Sequence, residues 1–62
     1  MKVRFTYWNI EHAEEFKTIA PRMKKVAKVE EINKAEVIVT FKPGTKYEYI
    51  KDAAGSATIS LV

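Results

Sequence analysis

The chain has 62 residues, of which 11 are Lys or Arg and 8 are Asp or Glu, so its formal net charge is +3, and it contains no cysteine. A chain of this length forms one small domain, spanning residues 1–62, and buries only about 60% of the surface that its unfolded state exposes. Without cysteine, neither disulfides nor thiolate-bound zinc supplement the core, so burial against a second chain is an expected source of stability. The composition excludes a disordered tail and a membrane-spanning segment, and with no signal-peptide pattern it favours a cytoplasmic location.

The first residues have the period of a half-buried strand. Residues 2–10 alternate between apolar and polar side chains, which places Val3, Phe5 and Tyr7 on one predicted core face. Asn9 is a predicted helix N-cap, because its short side chain can accept a hydrogen bond from an amide of the first turn.

A helical spacing begins after this cap. Apolar residues recur every three or four positions, at Ala13, Phe16, Ile19 or Ala20, Met23, and Val26 or Ala27. This stripe predicts one helix of about 17 residues. Pro21 removes a backbone donor within it, and because the stripe stays in phase on both sides of Pro21, we expect a kink and not a break.

The second half of the chain reads as β structure. Residues 26–32 fit either the end of the helix or a strand, whereas residues 36–41 are dense in β-branched side chains and predict a strand. Residues 33–34 and 42–45 have turn composition, and residues 46–50 and 57–62 predict two further strands joined by a loop. The predicted order is β-α-β-β-β(-β), an α+β domain with one kinked helix packed on a mainly antiparallel sheet.

The turn around Pro43 and Gly44 leaves two hairpin registers open. A loop of these two residues alone would put Tyr47 and Tyr49 on the outer face of the sheet, as candidates for binding a partner. Two-residue hairpins require a positive φ that proline cannot adopt, so we predict a three-residue loop. That register pairs Phe41 with Tyr47 and Val39 with Tyr49 on the helix-covered face.

Two short stretches resemble known families. Residues 37–49, V-I-V-T-F-K-P-G-T-K-Y-E-Y, are similar to the V-x-F-x-x-G-x-x-Y-x-Y hairpin of the KTSC domain, although the tetrapeptide that names that family is absent. The opening strand, the helix and residues 26–41 are similar to half of a ferredoxin-like domain such as the heavy-metal-associated family, without its C-x-x-C. We expect the residues after Phe41 to be too few for a second helix and its strand.

No pattern in the sequence supports catalysis or metal binding. His12 and Glu15 share one helical face, but no second His or Cys completes a coordination sphere, so they are interpreted as a solvated acidic turn. Ser56 or Ser60 could be combined with His12 and Asp52, yet neither serine lies in a strand-to-helix elbow. The two glycines lie in separate turns and form no phosphate loop. We therefore predict a non-enzymatic protein with no cofactor and no small-molecule substrate.

Basic residues are concentrated in one segment. Residues 17–28 contain five cations and no acid, following an acidic helix start, an order that also complements the helix dipole. The alternative interpretation is a surface that docks on phosphates without sequence specificity, since arginine is scarce. Its candidate residues are Lys17, Arg22, Lys24, Lys25, Lys28, Lys42 and Lys46.

The aromatic residues divide into core and surface candidates. Phe5, Phe16 and Phe41 are predicted core by periodicity. Trp8 is predicted to pack over the helix start, with an exposed anchor as the alternative. The candidate partner-binding residues are Arg4, Trp8, Tyr47 and Tyr49.

Two functional hypotheses follow. The first is a protein-interaction module that self-associates, or binds or inhibits a larger target, through a sheet edge or an exposed aromatic surface. The second is a small basic nucleic-acid-binding protein that uses the segment 17–28.

Overall fold

The computed structural model describes all of residues 1–62 and contains two helices packed on a four-stranded antiparallel sheet. In chain order the elements are β1 (Lys2–Thr6), α1 (Ile10–Ile19), a 3₁₀ turn (Ala20–Arg22), β2 (Val26–Glu31), β3 (Glu36–Phe41), α2 (Tyr47–Ala54) and β4 (Thr58–Leu61). The strands lie in the order β2-β3-β1-β4. The predicted α+β class is confirmed, whereas the expectation that too few residues follow Phe41 for a second helix and its strand is wrong, because α2 and β4 supply both.

The predicted start of α1 is confirmed, whereas its predicted length is wrong. The Asn9 side chain caps the helix by accepting a hydrogen bond from the Glu11 amide at 2.8 Å. The helix ends at Ile19 and tightens into the 3₁₀ turn, which the Met23 amide closes by donating to the Ala20 carbonyl at 3.1 Å. Pro21 has no N–H for the next α-helical bond and crowds the carbonyl one turn before it, so the helix stops instead of kinking.

The ambiguous segment after the 3₁₀ turn is a strand. Residues Val26–Glu31 pair antiparallel with β3, with a register irregularity between Val26 and Lys28. The turn predicted at residues 33–34 is confirmed, because the Asn33 side chain accepts from the Ala35 amide at 2.9 Å. The strand predicted at Glu36–Phe41 is also confirmed.

The predicted return strand at residues 46–50 is a helix, and the loop predicted to follow it is the second half of that helix. The turn that precedes α2 is present as expected: Gly44 has a φ of 85° and the Thr45 amide donates to the Lys42 carbonyl at 3.2 Å. The predicted pairing of Phe41 with Tyr47 and of Val39 with Tyr49 is wrong. Both edges of β3 are already occupied, by β1 and by β2, so no edge is left for a hairpin partner.

The core lies between one face of the sheet and the two helices. The Phe5 ring contacts that of Phe16 in α1 edge to face, with centroids 5.1 Å apart, and lies 6.2 Å from the Phe41 ring. Ile50 and Ala54 of α2 close the other side. The buried apolar residues are Val3, Phe5, Tyr7, Ala13, Phe16, Ala20, Val26, Val37, Val39, Phe41, Ile50 and Ala54.

Tyr7 brings an unsatisfied polar atom into this core. Its hydroxyl is buried and has no hydrogen-bond partner in the protein, and its ring lies 5.8 Å from that of Phe16. Burial disfavours the charged phenolate and raises the pKa of Tyr7 to about 12. This hydroxyl therefore reduces the stability of the fold instead of contributing to it.

Replacing Tyr7 with phenylalanine should raise the free energy of unfolding by about 1 kcal/mol, since it removes a desolvated hydroxyl and keeps the ring. Above pH 10 the unfolded chain releases the tyrosine proton while the folded chain retains it, so wild-type stability should fall as pH rises toward 12. Urea unfolding of wild type and Tyr7→Phe between pH 7 and pH 12 measures both effects. The exposed Tyr47→Phe serves as control, and identical pH profiles for wild type and Tyr7→Phe would contradict the prediction.

Candidate interaction site

The sheet face that carries no helix is polar and mixed in charge. Strand alternation puts Lys2 and Arg4 of β1 on this face, opposite Ile38 and Thr40 of β3, and no aromatic side chain lies among them. Lys28 and Glu30 of β2 form an ion pair here at 2.9 Å, and their hydrogen bond and attraction raise the pKa of Lys28 and lower that of Glu30. The face therefore lacks the stacked aromatics with which open sheets hold single-stranded bases.

The two edges of the sheet differ in how well they are protected against another strand. β2 carries the register irregularity at its start and three charged side chains, Lys28, Glu30 and Glu31. Bulges and charges are the usual devices that prevent an edge from pairing with a further chain. β4, at the opposite edge, has the sequence T-I-S-L and carries neither device.

Two residues of β4 have main-chain N–H and C=O groups that point outward at this edge. Ser60 lies opposite Arg4, and the Val62 amide donates to the Lys2 carbonyl at 3.3 Å. In an antiparallel ladder the main-chain groups of successive residues point alternately to the two neighbours. The N–H and C=O groups of Ile59 and Leu61 therefore point away from β1.

Apolar side chains surround these groups. Leu61 is 71% exposed and Val62 is 63% exposed, while Ile59 is half-buried against the core. On α2, Tyr49 packs on Phe41 with ring centroids 6.3 Å apart, so Tyr47 lies on the opposite flank of the helix, toward β4. We call the main chain of residues 58–62, with the side chains of Tyr47, Ile59, Leu61 and Val62, the β4 edge.

Tyr47 is the member of the β4 edge that the sequence identified as a candidate. It is 55% exposed, and the Lys51 ammonium lies 5.8 Å from its ring centroid. The other candidates lie elsewhere: Arg4 is on the polar face and Tyr49 is turned toward the core. Sequence reasoning missed Leu61 and Val62, for which the available signal was the absence of charge in the last strand.

The prediction that Trp8 packs over the start of α1 is wrong. The residue is 92% exposed, beyond the end of β1. The neighbouring Tyr7 amide donates to the Ala35 carbonyl at 2.8 Å, which brings Trp8 to the end of the sheet where the β2–β3 turn lies. Trp8 thus belongs to a different part of the surface from Leu61 and Val62.

Five of the candidate phosphate-binding residues lie at one end of the sheet. The Lys42 amide donates to the Lys25 carbonyl at 2.8 Å, which extends the ladder past the Val26–Phe41 pair and places the two lysines opposite each other. The segments 20–25 and 42–46 contain no acid, and none of their cations forms an ion pair. We call Arg22, Lys24, Lys25, Lys42 and Lys46 the basic end.

The other two candidates have partners within the protein. The Lys17 ammonium donates to Glu31 Oε1 at 2.8 Å, to the Asn33 carbonyl at 2.9 Å and to the Lys34 carbonyl at 3.2 Å. Its side chain is 16% exposed, and its three donors are all used in tying α1 to the β2–β3 turn. Lys28 is paired with Glu30, as described above.

No group of three or more His, Cys, Asp or Glu side chains is placed to hold a metal ion, and no concave pocket is present. Neither helix has the length and apolar character needed to cross a bilayer. Comparison with protein-family models, with curated proteins and with solved structures finds no match to this chain.

Replacing Lys17 with methionine should lower the free energy of unfolding by about 1–2 kcal/mol, because it removes three hydrogen bonds and leaves their acceptors with fewer partners. Lys24→Met, a change of the same charge at an exposed position, should alter stability by less than about 0.5 kcal/mol. Urea unfolding measures both variants. Equal stabilities for the two would show that the contacts of Lys17 contribute nothing.

Proposed function

We propose that this protein is a small non-enzymatic interaction module, acting in the cytoplasm, which binds another protein chain by accepting a strand at the β4 edge. The observation that supports the proposal is the difference between the two edges of one sheet. β2 is interrupted and charged, whereas β4 is regular, uncharged and bordered by exposed Leu61 and Val62. Edges without protection are the ones at which strands are added.

The energetics of such an edge favour reversible binding. An antiparallel strand would make both main-chain hydrogen bonds with each of Ile59 and Leu61, and each bond contributes about 0.5–1.5 kcal/mol. Burial of the Leu61 side chain adds about 1.5–3 kcal/mol, and Tyr47 is of the residue type most often found at binding hot spots. Part of this gain is offset by the lost freedom of the two chains.

The proposal predicts that contact with a partner in cells is confined to this edge. A photo-crosslinking p-benzoylphenylalanine in place of Leu61 should give discrete adducts on illumination, separable by mass and identifiable by mass spectrometry. The same group in place of Lys28, on the protected edge, should give none.

A second control, beside the crosslinker at position 28, tests whether the adducts depend on main-chain pairing. Adding Ile59→Pro removes an N–H that points away from β1, so it should abolish the adducts from position 61 while the fold persists. Adducts that form equally from both edges, or that survive Ile59→Pro, would contradict the proposal.

A second candidate function is supported by the basic end, and it is non-specific binding of a polyanion such as nucleic acid. Lys25 and Lys42 lie opposite each other just beyond the paired ends of β2 and β3, an arrangement of like charges that is unfavourable unless an anion is nearby. The first turn of α2, which follows Lys46, also has backbone amides that no side chain caps, and amides at the start of a helix favour a nearby anion. Arg22 supplies the one guanidinium, so bidentate recognition is limited.

For this second function, replacing Lys24, Lys25 and Lys42 together with glutamine should make the plot of log affinity for DNA against log salt concentration less steep. The change in slope should correspond to the loss of about three phosphate contacts. The charge-matched control replaces Lys28, Lys34 and Lys51 with glutamine and should leave the slope close to that of wild type. Fluorescence anisotropy with a labelled duplex at several salt concentrations gives the slopes. Equal losses in both triple variants would show that only net charge matters.

A further inference from the structure

We infer that the occupant of the β4 edge is a second copy of this chain, paired antiparallel about a two-fold axis at Ser60; the inference rests on the proposed function of that edge. A symmetric pairing must place outward-pointing main-chain groups opposite each other. In β4 these groups belong to Ile59 and Leu61. The main-chain groups of Ser60 and Val62 point the other way, toward Arg4 and Lys2 of β1.

One register satisfies this condition for both residues within β4. With Ser60 opposite Ser60 of the second copy, Ile59 lies opposite Leu61 of the second copy, and the axis generates the same pair again. The two pairs make four main-chain hydrogen bonds. A shift of two residues toward the start of β4 would place Leu61 opposite Ala57, which precedes the strand. A shift in the other direction would leave Ile59 without an opposing residue in β4.

The side chains agree with this register. A two-fold axis perpendicular to the sheet keeps the helix-covered faces of both copies on the same side, so Ile59 and Leu61 form apolar cross-strand pairs there. Thr58 and Val62 pair on the opposite face. The α2 helices of the two copies run antiparallel beside each other, which brings the exposed ring of Tyr47 to the junction.

Charge also favours a second copy. Residues 57–62 contain no charged side chain, so self-pairing opposes no like charges along the strands. The basic end lies at the sheet end where β4 finishes, since Val62 bonds Lys2 while Phe41 bonds Met1 and Lys42 bonds Lys25. Antiparallel pairing places the basic ends of the two copies at opposite ends of the dimer, where their repulsion is weakest.

The contact is small. A contact made through one strand of four residues belongs with the small interfaces, below roughly 1,200 Å² of buried surface, that are typical of weak or transient association. The expected species is therefore a monomer–dimer equilibrium that depends on protein concentration.

Single cysteines test the register, because the chain has none of its own. The axis brings the two copies of Ser60 together as a pair without hydrogen bonds, with Cα atoms about 4.5 Å apart, within disulfide range. The two copies of Thr58 lie about 14 Å apart, four residues along the strand. Under mild oxidation Ser60→Cys should become a disulfide-linked dimer at least about tenfold faster than Thr58→Cys.

Sedimentation equilibrium tests the pairing without a cross-link. Wild type should shift toward the dimer mass as concentration rises, whereas Leu61→Pro should remain monomeric, since it removes an outward N–H and leaves the ladder to β1 intact. Circular dichroism confirms that each variant is folded. If Leu61→Pro fails to fold, the comparison of Ser60→Cys with Thr58→Cys still tests the pairing.

The outcomes separate this inference from the proposed function. Equal oxidation rates for Ser60→Cys and Thr58→Cys, or a wild type that is monomeric at every concentration, would overturn self-pairing. In that case, adducts from position 61 to a different protein would show that the edge binds another partner and would leave the proposed function standing. If position 61 also yields no adducts, both fail.

Discussion

β3 is paired along both edges, with β1 on one side and β2 on the other, and most of the architecture depends on this. Because no edge of β3 remains, the chain after Phe41 cannot return as a hairpin on β3, and it crosses the sheet through α2. The remaining edge of β1 then receives the last strand. This crossover buries Ile50 and Ala54 on the core and makes β2 and β4 the two outer strands. The position of the β4 edge is thus a consequence of how β3 is paired.

Local pattern was sufficient for the elements whose period has one interpretation. The alternation of Val3 and Phe5, the cap at Asn9 and the β-branched run before Phe41 each predicted the observed structure. Residues 47–54 fit both periods, because Tyr47 and Tyr49 alternate like a strand while Tyr49 and Ala53 have helical spacing. The deciding fact is the occupancy of β3, which depends on pairing between distant residues. At Pro21 the helical spacing of apolar residues continued although the helix ended. Val26, the last residue of that spacing, is buried as part of β2 and not as part of a helix.

The candidate site was less accessible to sequence reasoning than the fold. Ile59 and Leu61 have a core-like alternation, and only the strand order shows that they belong to an outer strand. The basic run had two explanations, a match to the helix dipole and a phosphate surface. For Lys17 the structure adds a third, since its ammonium binds Glu31 and two carbonyls of the β2–β3 turn. That contact joins residues far apart in the sequence, so no local pattern predicts it.

The β4 edge and the basic end adjoin where Tyr47 follows Lys46, but their other residues lie on opposite sides of the sheet, and this determines how the two proposed activities relate. A strand added at β4 contacts Leu61, Ile59 and the flank of α2 that carries Tyr47, whereas Lys25 and Lys42 lie across the sheet, where β2 meets β3. Occupying the β4 edge therefore leaves Lys25 and Lys42 accessible. In the self-paired arrangement each copy contributes a basic end, and the two point in opposite directions. Such a dimer would hold a separate polyanion at each end, and self-association would raise the affinity for a single polyanion only if that polyanion reached both ends.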